Sequence, residues 1–282
     1  MLALTNIKKD IEFNKNFRSL LEVLKSIAIS QFYLLEKSLK TFEKFDDYMQ
    51  FFFESLDLNA VQHRFLREDS GPLGVVAITS DQGLLGGLNM RVVSTAVGLM
   101  KSNQDELVVV GDRGQTYARD FQSNFTAFPG IRDDQKEAQA TALRDHLFAK
   151  AAQGRWGSVQ VVYPKALSLI NQRVEIATLL PFTRKTREAP ATEKHPQDLI
   201  FESSVESILE YLIFLSMNQK LNEIFAYSRL AELGARYMHL EESTQKIQEL
   251  NQKLKLRYFR LRHESIDQSL RELFSARVLY VE

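Results

Sequence analysis

Five histidines, one glycine-rich decapeptide and one cluster of positive charge are the places where this chain could do chemistry. The histidines are His63, His146, His195, His239 and His263. No two of them stand four residues apart, and no carboxylate-rich cluster accompanies any of them, so the spacing supports no metal site. Cysteine is absent, which excludes disulfides, thiolate ligands and thiol nucleophiles and fits a reducing compartment. There is no GxSxG, and no pair of carboxylates is placed for general acid–base work. The residues therefore read as carrying no catalytic group, no metal and no cofactor.

The decapeptide runs Ser80-Asp81-Gln82-Gly83-Leu84-Leu85-Gly86-Gly87-Leu88-Asn89, directly after an apolar run and at the start of a helical stretch. Glycine-rich turns between a strand and a helix can cradle phosphates on free N–H groups and the helix dipole. This one lacks the Lys and Ser/Thr of GxxxxGK[ST], and it is not GxGxxG. A tight turn in which Gly86 and Gly87 permit close packing is the reading that competes with a ligand loop. Trp156, between Gly154 and Gly157, reads as a core residue or a loop anchor.

The positive cluster lies in Leu250 to His263, where Lys253, Lys255, Arg257, Arg260 and Arg262 occur without an acid. On a helix they surround the cylinder over about 20 Å. A solvated face is the plain reading. Lys+Arg and Asp+Glu are each 36, so the chain is neutral overall, and five cations gathered in one stretch point to an acidic partner. The same neutrality argues against a general nucleic-acid binder.

The elements that position these residues are marked by glycine and proline. Met1 to Ser70 has neither; Gln197 to Glu282 has only Gly234; all other glycines and all six prolines lie between Gly71 and Pro196. Since both residues interrupt helices, the pattern predicts two long terminal helices around a central domain. The expected divisions are 1–70, 71–196 and 197–282. Steps of three and four along the first arm give Phe17, Leu21, Leu24, Ala28, Gln31, Leu35, Ser38, Phe42, Phe45, Met49, Phe52 and Leu56. The second arm gives Leu233, Tyr237, Leu240, Thr244, Ile247, Asn251, Leu254, Tyr258 and Leu261. Both are heptad seams, and Asn251 on a seam can fix register. Helices of about 55 and 75 residues would reach roughly 80 and 110 Å, so the seams are expected to pack on each other as an antiparallel coiled coil.

In the middle, short β-branched runs at Val75–Thr79, Leu107–Val110, Val159–Tyr163 and Val174–Ala177 alternate with helical stretches at 88–100, 114–121 and 134–153. That alternation predicts a small α/β domain with a mostly parallel sheet. Residues 184–196 read as a charged loop. The most apolar window, Tyr211 to Met217, is too short and too closely flanked by charge to span a bilayer.

Taken in order, these segments resemble the gamma subunit family of F-type ATP synthases along nearly the whole chain. Ile7-Lys8-Lys9-Asp10-Ile11 and Lys25-Ser26-Ile27-Ala28-Ile29-Ser30 look like its opening motifs. Ser80 to Asn89 is similar to its (S/T)-D-R-G-L-C-G-(G/A)-(L/F)-N, with Gln82 for Arg and Leu85 for Cys. Val109 to Gly114, Tyr163-Pro164-Lys165 and Leu179-Leu180-Pro181 match further segments, as do Ala235 to Met238, Leu254 to Arg262 and Ile266 to Glu272 near the end. Gln82, Leu85, Ile247, Phe259, His263, Asp267 and Ser269 depart from the pattern, and the chain ends in Arg277 to Glu282 rather than in small residues. These departures suit a divergent or alternative version of the shaft.

The resemblance implies a non-catalytic rotor shaft that couples ion-driven rotation to ATP synthesis or hydrolysis on neighbouring α and β subunits. It implies contacts to that hexamer through Lys253, Lys255, Arg257, Arg260, Arg262, His263 and Asp267. Asp81, Gln82 and Glu202 would face the c-ring or the epsilon subunit. The absence of a transit-like segment before Ile7 implies a bacterial protein on the cytoplasmic face of the inner membrane, attached through its complex. Two other classes remain open: an α/β ligand-binding regulatory protein, and a coiled-coil scaffold or stalk of another machine.

Overall fold

The computed structural model describes residues 2–39, 49, 52–53, 63–66, 71–121, 124–182 and 203–279. In chain order the elements are α1 (Leu2–Leu39), a 3-10 turn (Arg64–Leu66), β1 (Leu73–Ile78), α2 (Leu88–Leu99), β2 (Glu106–Val110), α3 (Asp112–Asp120), β3 (Phe125–Phe128), α4 (Lys136–Ala152), β4 (Ser158–Ala166), β5 (Gln172–Leu180) and α5 (Val205–Leu279). Mixed α/β architecture with long terminal helices and a mostly parallel sheet is thus observed. The seam positions Phe42, Phe45 and Leu56 and the loop 184–196 lie outside the described residues. The chain forms two compact units, Met1–Ala28 with Tyr237–Glu282, and Ile29–Arg236.

The first unit is built from α1 up to Ala28 and from α5 from Tyr237 onward. On α5 the expected seam is the one observed: Leu240 and Thr244 are buried, and Ile247, Asn251, Leu254, Tyr258 and Leu261 are half-buried between exposed neighbours. On α1 the seam is rotated from the expected one. Ile7, Asn14, Leu21 and Ala28 are buried, and Leu4, Ile11 and Lys25 form the second row. Phe17 and Leu24 instead face outward, 40% and 37% exposed. Both rows repeat every seven residues, but apolar residues also occupy the flank, so apolarity alone could not choose between adjacent rows. Lys25 stands in the seam row and donates to Glu241 of α5 at 2.7 Å, while also pairing with Glu22 at 2.6 Å. Hydrogen bonds donated to Glu22 and Glu241 raise the Lys25 pKa, against the opposing effect of burial.

The second unit holds a five-stranded sheet in the order β3-β2-β1-β4-β5. β1 lies parallel to β2 and β4, β2 parallel to β3, and β5 closes the edge antiparallel to β4. Side chains alternate across the sheet. Val76, Ile78, Val108, Val110, Val159 and Val161 face a core shared with α4 and with Leu209, Ile213, Met217, Leu221 and Ile224 of α5. Val75, Ala77, Leu107, Val109 and Val162 face the opposite core, shared with α2 and α3. Both faces are covered, which is why the strands read as continuous apolar runs. Strand β3 has no such run; its Phe-Thr-Ala-Phe stretch extends because it pairs with β2, register Leu107↔Phe125.

One glycine decides how α5 docks. A Cβ on Gly234 would stand 2.9 Å from the Leu169 carbonyl oxygen and 2.7 Å from Gln172 Nε2 at the β4–β5 hairpin. Phe32, with Leu35 and Leu39 of α1, packs nearby on Leu230 and Leu233. Two residues before the notch, Glu232 is buried and accepts from Arg229 at 2.8 Å and Arg236 at 2.5 Å; Arg229 also reaches Asp133 at 3.1 Å. Helical propensity favours alanine over glycine by about 1 kcal/mol. At this position the backbone contact outweighs it.

Gly234→Val is expected to lower the melting temperature by a loss of about 1–3 kcal/mol. Gly98→Ala in α2, where nothing lies within 4 Å of the added carbon, should leave it unchanged or raise it. Equal effects in thermal melts would remove the notch. The seam is tested by a second pair. Leu240→Asp buries an unpaired carboxylate and should cost more than about 3 kcal/mol, whereas Leu24→Asp should stay within about 0.5 kcal/mol. Circular dichroism melts that rank Leu24 above Leu240 would restore the unrotated seam.

Candidate functional site

The glycine-rich turn leaves β1 at Thr79 and enters α2 at Leu88. Thr79 is tied to β2 through its N–H and hydroxyl, which donate to the Val110 carbonyl at 2.9 and 2.5 Å. Ser80 and Asn89 close the turn: the Ser80 N–H donates to Asn89 Oδ1 at 3.3 Å, and Asn89 Nδ2 donates to Ser80 Oγ at 2.9 Å. Asp81 Oδ1 accepts from the backbone N–H of Asp112 at 2.9 Å and of Gly130 at 3.1 Å. A side chain on Gly130 would collide with this carboxylate. Asp81 therefore laces together the ends of β1, β2 and β3.

Gly86 and Gly87 have φ of 55° and 83°, and a Cβ on either would meet nothing within 4 Å. They supply left-handed backbone, not the close packing expected of them. Leu84 carries φ 65° without being glycine. Leu85, the residue at the cysteine position of the motif, is buried with Leu88 against Ala231 and Ala235 of α5, beside Ala166 at the end of β4. In doubly wound sheets, ligands occupy the crevice beyond the carboxyl ends of neighbouring strands where the connections diverge. Here β1 and β4 are those strands, and small residues of α5 pack at their ends. Gln82 is exposed. Glu202 lies outside the described residues.

The positive cluster presents a different picture. Lys253, Lys255, Arg257, Arg260, Arg262, His263 and Asp267 are all exposed on α5. None of them forms an ion pair among the described residues. Among them and just beyond lie apolar side chains that the charge pattern did not bring out: Leu256 is 69% exposed, and past Asp267 Leu273 is 68% and Phe274 66% exposed. On α1, Phe13 and Phe17 stack with ring centroids 6.0 Å apart and are exposed, as are Leu20, Val23 and Ile27. The signal was present in the sequence as apolar residues off the seam. Two helices have only one mutual interface, so residues on their outer faces stay uncovered within the unit. Exposed apolar residues interleaved with unpaired cations form a surface suited to a partner.

Among the described residues, no group of three or more His, Cys, Asp or Glu is gathered as a metal would need. No described helix is long and apolar enough to cross a membrane.

Comparison with known proteins bears on both surfaces. The family profile described as ATP synthase matches residues 3–277. The chain is 25% identical over 282 residues to the ATP synthase gamma chain of Clostridium pasteurianum, covering 97% of each. It is 29% identical over 201 residues to that of Clostridium acetobutylicum, covering 70% of this chain and 69% of the relative. Among solved structures it resembles a chain of the Euglena gracilis mitochondrial ATP synthase rotor, with a TM-score of 0.66 and 17% identity over 94% of this chain and 99% of that one. The heptad seams, the Ser80–Asn89 turn and the profile match along nearly the whole length agree: the chain belongs to the ATP synthase gamma-chain family.

Proposed function

We propose that this chain is the central shaft of a rotary ATP synthase, coupling ion-driven rotation to ATP synthesis or hydrolysis on α and β subunits while carrying no catalytic residue itself. The observation that carries the reading is the outer surface of the first unit, where five cations with no ion-pair partner among the described residues share one stretch of α5 with exposed apolar side chains. Such a surface fits inside a larger assembly. The apolar residues would slide against a surrounding sleeve, and the cations would meet acidic levers on the catalytic subunits. Lys253, Lys255, Arg257, Arg260, Arg262, His263 and Asp267 are the residues assigned to that contact.

The second unit would sit against the c-ring and the epsilon subunit, with Gln82 and Glu202 as contact residues. Asp81 has a prior engagement: one carboxylate oxygen holds two backbone N–H groups, so its part there is to shape the turn that presents Gln82. The complex would lie on the cytoplasmic face of a bacterial inner membrane. The chain's role needs no cofactor.

A guanidinium pairs bidentately with a carboxylate, but a moving, wet interface screens each pair to about 1 kcal/mol or less. Arg262→Ala is therefore expected to lower the ATPase rate of the assembled complex modestly and to leave assembly intact. Reversing all five cations to Glu should lower it far more, by repulsion. Unchanged rate and assembly in the fivefold variant would mean that the shaft acts through shape alone. Calorimetry of the full chain with ATP or ADP should give no 1:1 isotherm at millimolar concentration, because the turn lacks a P-loop lysine and the strand ends are covered by α5. A clear isotherm would favour a ligand-binding regulator.

A further inference from the structure

The chain has a single tryptophan, Trp156, just after α4 and within the core that α4 shares with the sheet. Its ring lies on the backbone of β1, where a Cβ on Gly74 would stand 2.6 Å away. The ring cannot move closer to the strand. His146 of α4 meets it edge-on, with centroids 6.1 Å apart and planes at 67°, and meets Phe128 of β3 at 5.4 Å. His146 Nε2 and Trp156 Nε1 are both buried, and neither has a hydrogen-bond partner among the described residues.

Among the described residues, two charged groups act on this imidazole. Lys150, one turn further along α4, sits 5.6 Å from the Trp156 ring. Glu106 of β2 binds that lysine at 2.8 Å. The carboxylate that could stabilise an imidazolium is thus already engaged, and the stronger charge acting on the ring is positive. Burial and then Lys150 lower the His146 pKa, with Glu106 acting in the other direction.

We propose that His146 and Trp156 form an acid-sensitive contact, which holds α4 on the sheet while the imidazole is neutral and loosens when it takes up a proton. With its Nε2 buried against the Phe128 and Trp156 rings, the neutral imidazole leaves one nitrogen unpaired at modest cost. An imidazolium there would bury a charged N–H without an acceptor. The folded chain then binds fewer protons than the unfolded chain. Stability is at its full value above the unfolded pKa of about 6.5 and falls as the pH drops below it, levelling off once the folded pKa is passed. The inference concerns the second unit alone and stands independently of the shaft reading.

The test uses the full chain, because its only indole is the reporter. Protonated imidazole quenches indole emission at contact. Tryptophan fluorescence should show a sigmoidal loss on acidification with a midpoint below about 6.5. The step should vanish in His146→Gln, and the melting temperature of that variant should depend less on pH through the same range. If His146→Gln fails to fold, His146→Phe keeps the ring and removes the proton, and the imidazole proton signal of the unmodified chain can be titrated by NMR. A step that persists without His146, a wild-type chain with no step, or an NMR midpoint at or above about 6.5 would each overturn the proposal. So would a step that disappears in Glu106→Gln and survives in His146→Gln, since it would belong to the carboxylate.

Discussion

The α1–α5 seam is the constraint on which the first unit depends. Two helices have only one mutual face, and a stripe repeating every 3.5 residues is all that the face can bury. Ile7, Leu21 and Ala28 of α1 and Leu240 of α5 supply its buried apolar groups. Polar residues interrupt it at Asn14, Lys25, Thr244 and Asn251. Each lowers the hydrophobic gain but makes a shifted pairing worse. Lys25 meets Glu241 only in this alignment. A sequence that needed only stability would fill those positions with leucine.

The second unit is held differently. Its sheet is covered on both faces, and α5 serves as one of the covers through Leu209, Ile213, Met217, Leu221 and Ile224. Beyond these residues the same helix meets the β4–β5 hairpin at Gly234 and the strand-end turn at Ala231 and Ala235. Small residues let the helix backbone approach closely where larger ones would hold it off. Buried Glu232, between Arg229 and Arg236, adds a charged contact whose loss would take the acid partner from Arg236 and leave Arg229 with Asp133 alone.

These packing demands also explain how chemistry and structure divide along the chain. The glycine-rich turn has the outward form of a ligand loop. Most of its groups are spent internally, Ser80 on Asn89, Asp81 on two backbone N–H groups, and Leu85 and Leu88 on α5, while Gln82 and Leu84 stay exposed. On the outside of the first unit, by contrast, exposed apolar side chains and cations without an ion-pair partner among the described residues lie where two helices cannot cover themselves.

Much of this was legible in the residues alone. The glycine and proline gaps marked both long helices, the β-branched runs marked four of the five strands, and the α5 seam was read in its true phase from Leu240 to Leu261. Those features are local: they follow from backbone restriction and from periodicity along one helix. Tertiary structure decided the rest. The phase of α1 depended on which of two apolar rows α5 would accept, and Phe17 and Leu24 went outward while Lys25 met its partner Glu241 across the seam. Strand β3 exists because β2 offers it an edge. Asp81 became a structural knot because folding brought Asp112 and Gly130 beside it, and the meeting of His146 with Trp156 arose from the return of the chain after α4 onto Gly74. Each is a contact between distant segments, and spacing along the chain carries no record of such contacts until the chain has folded.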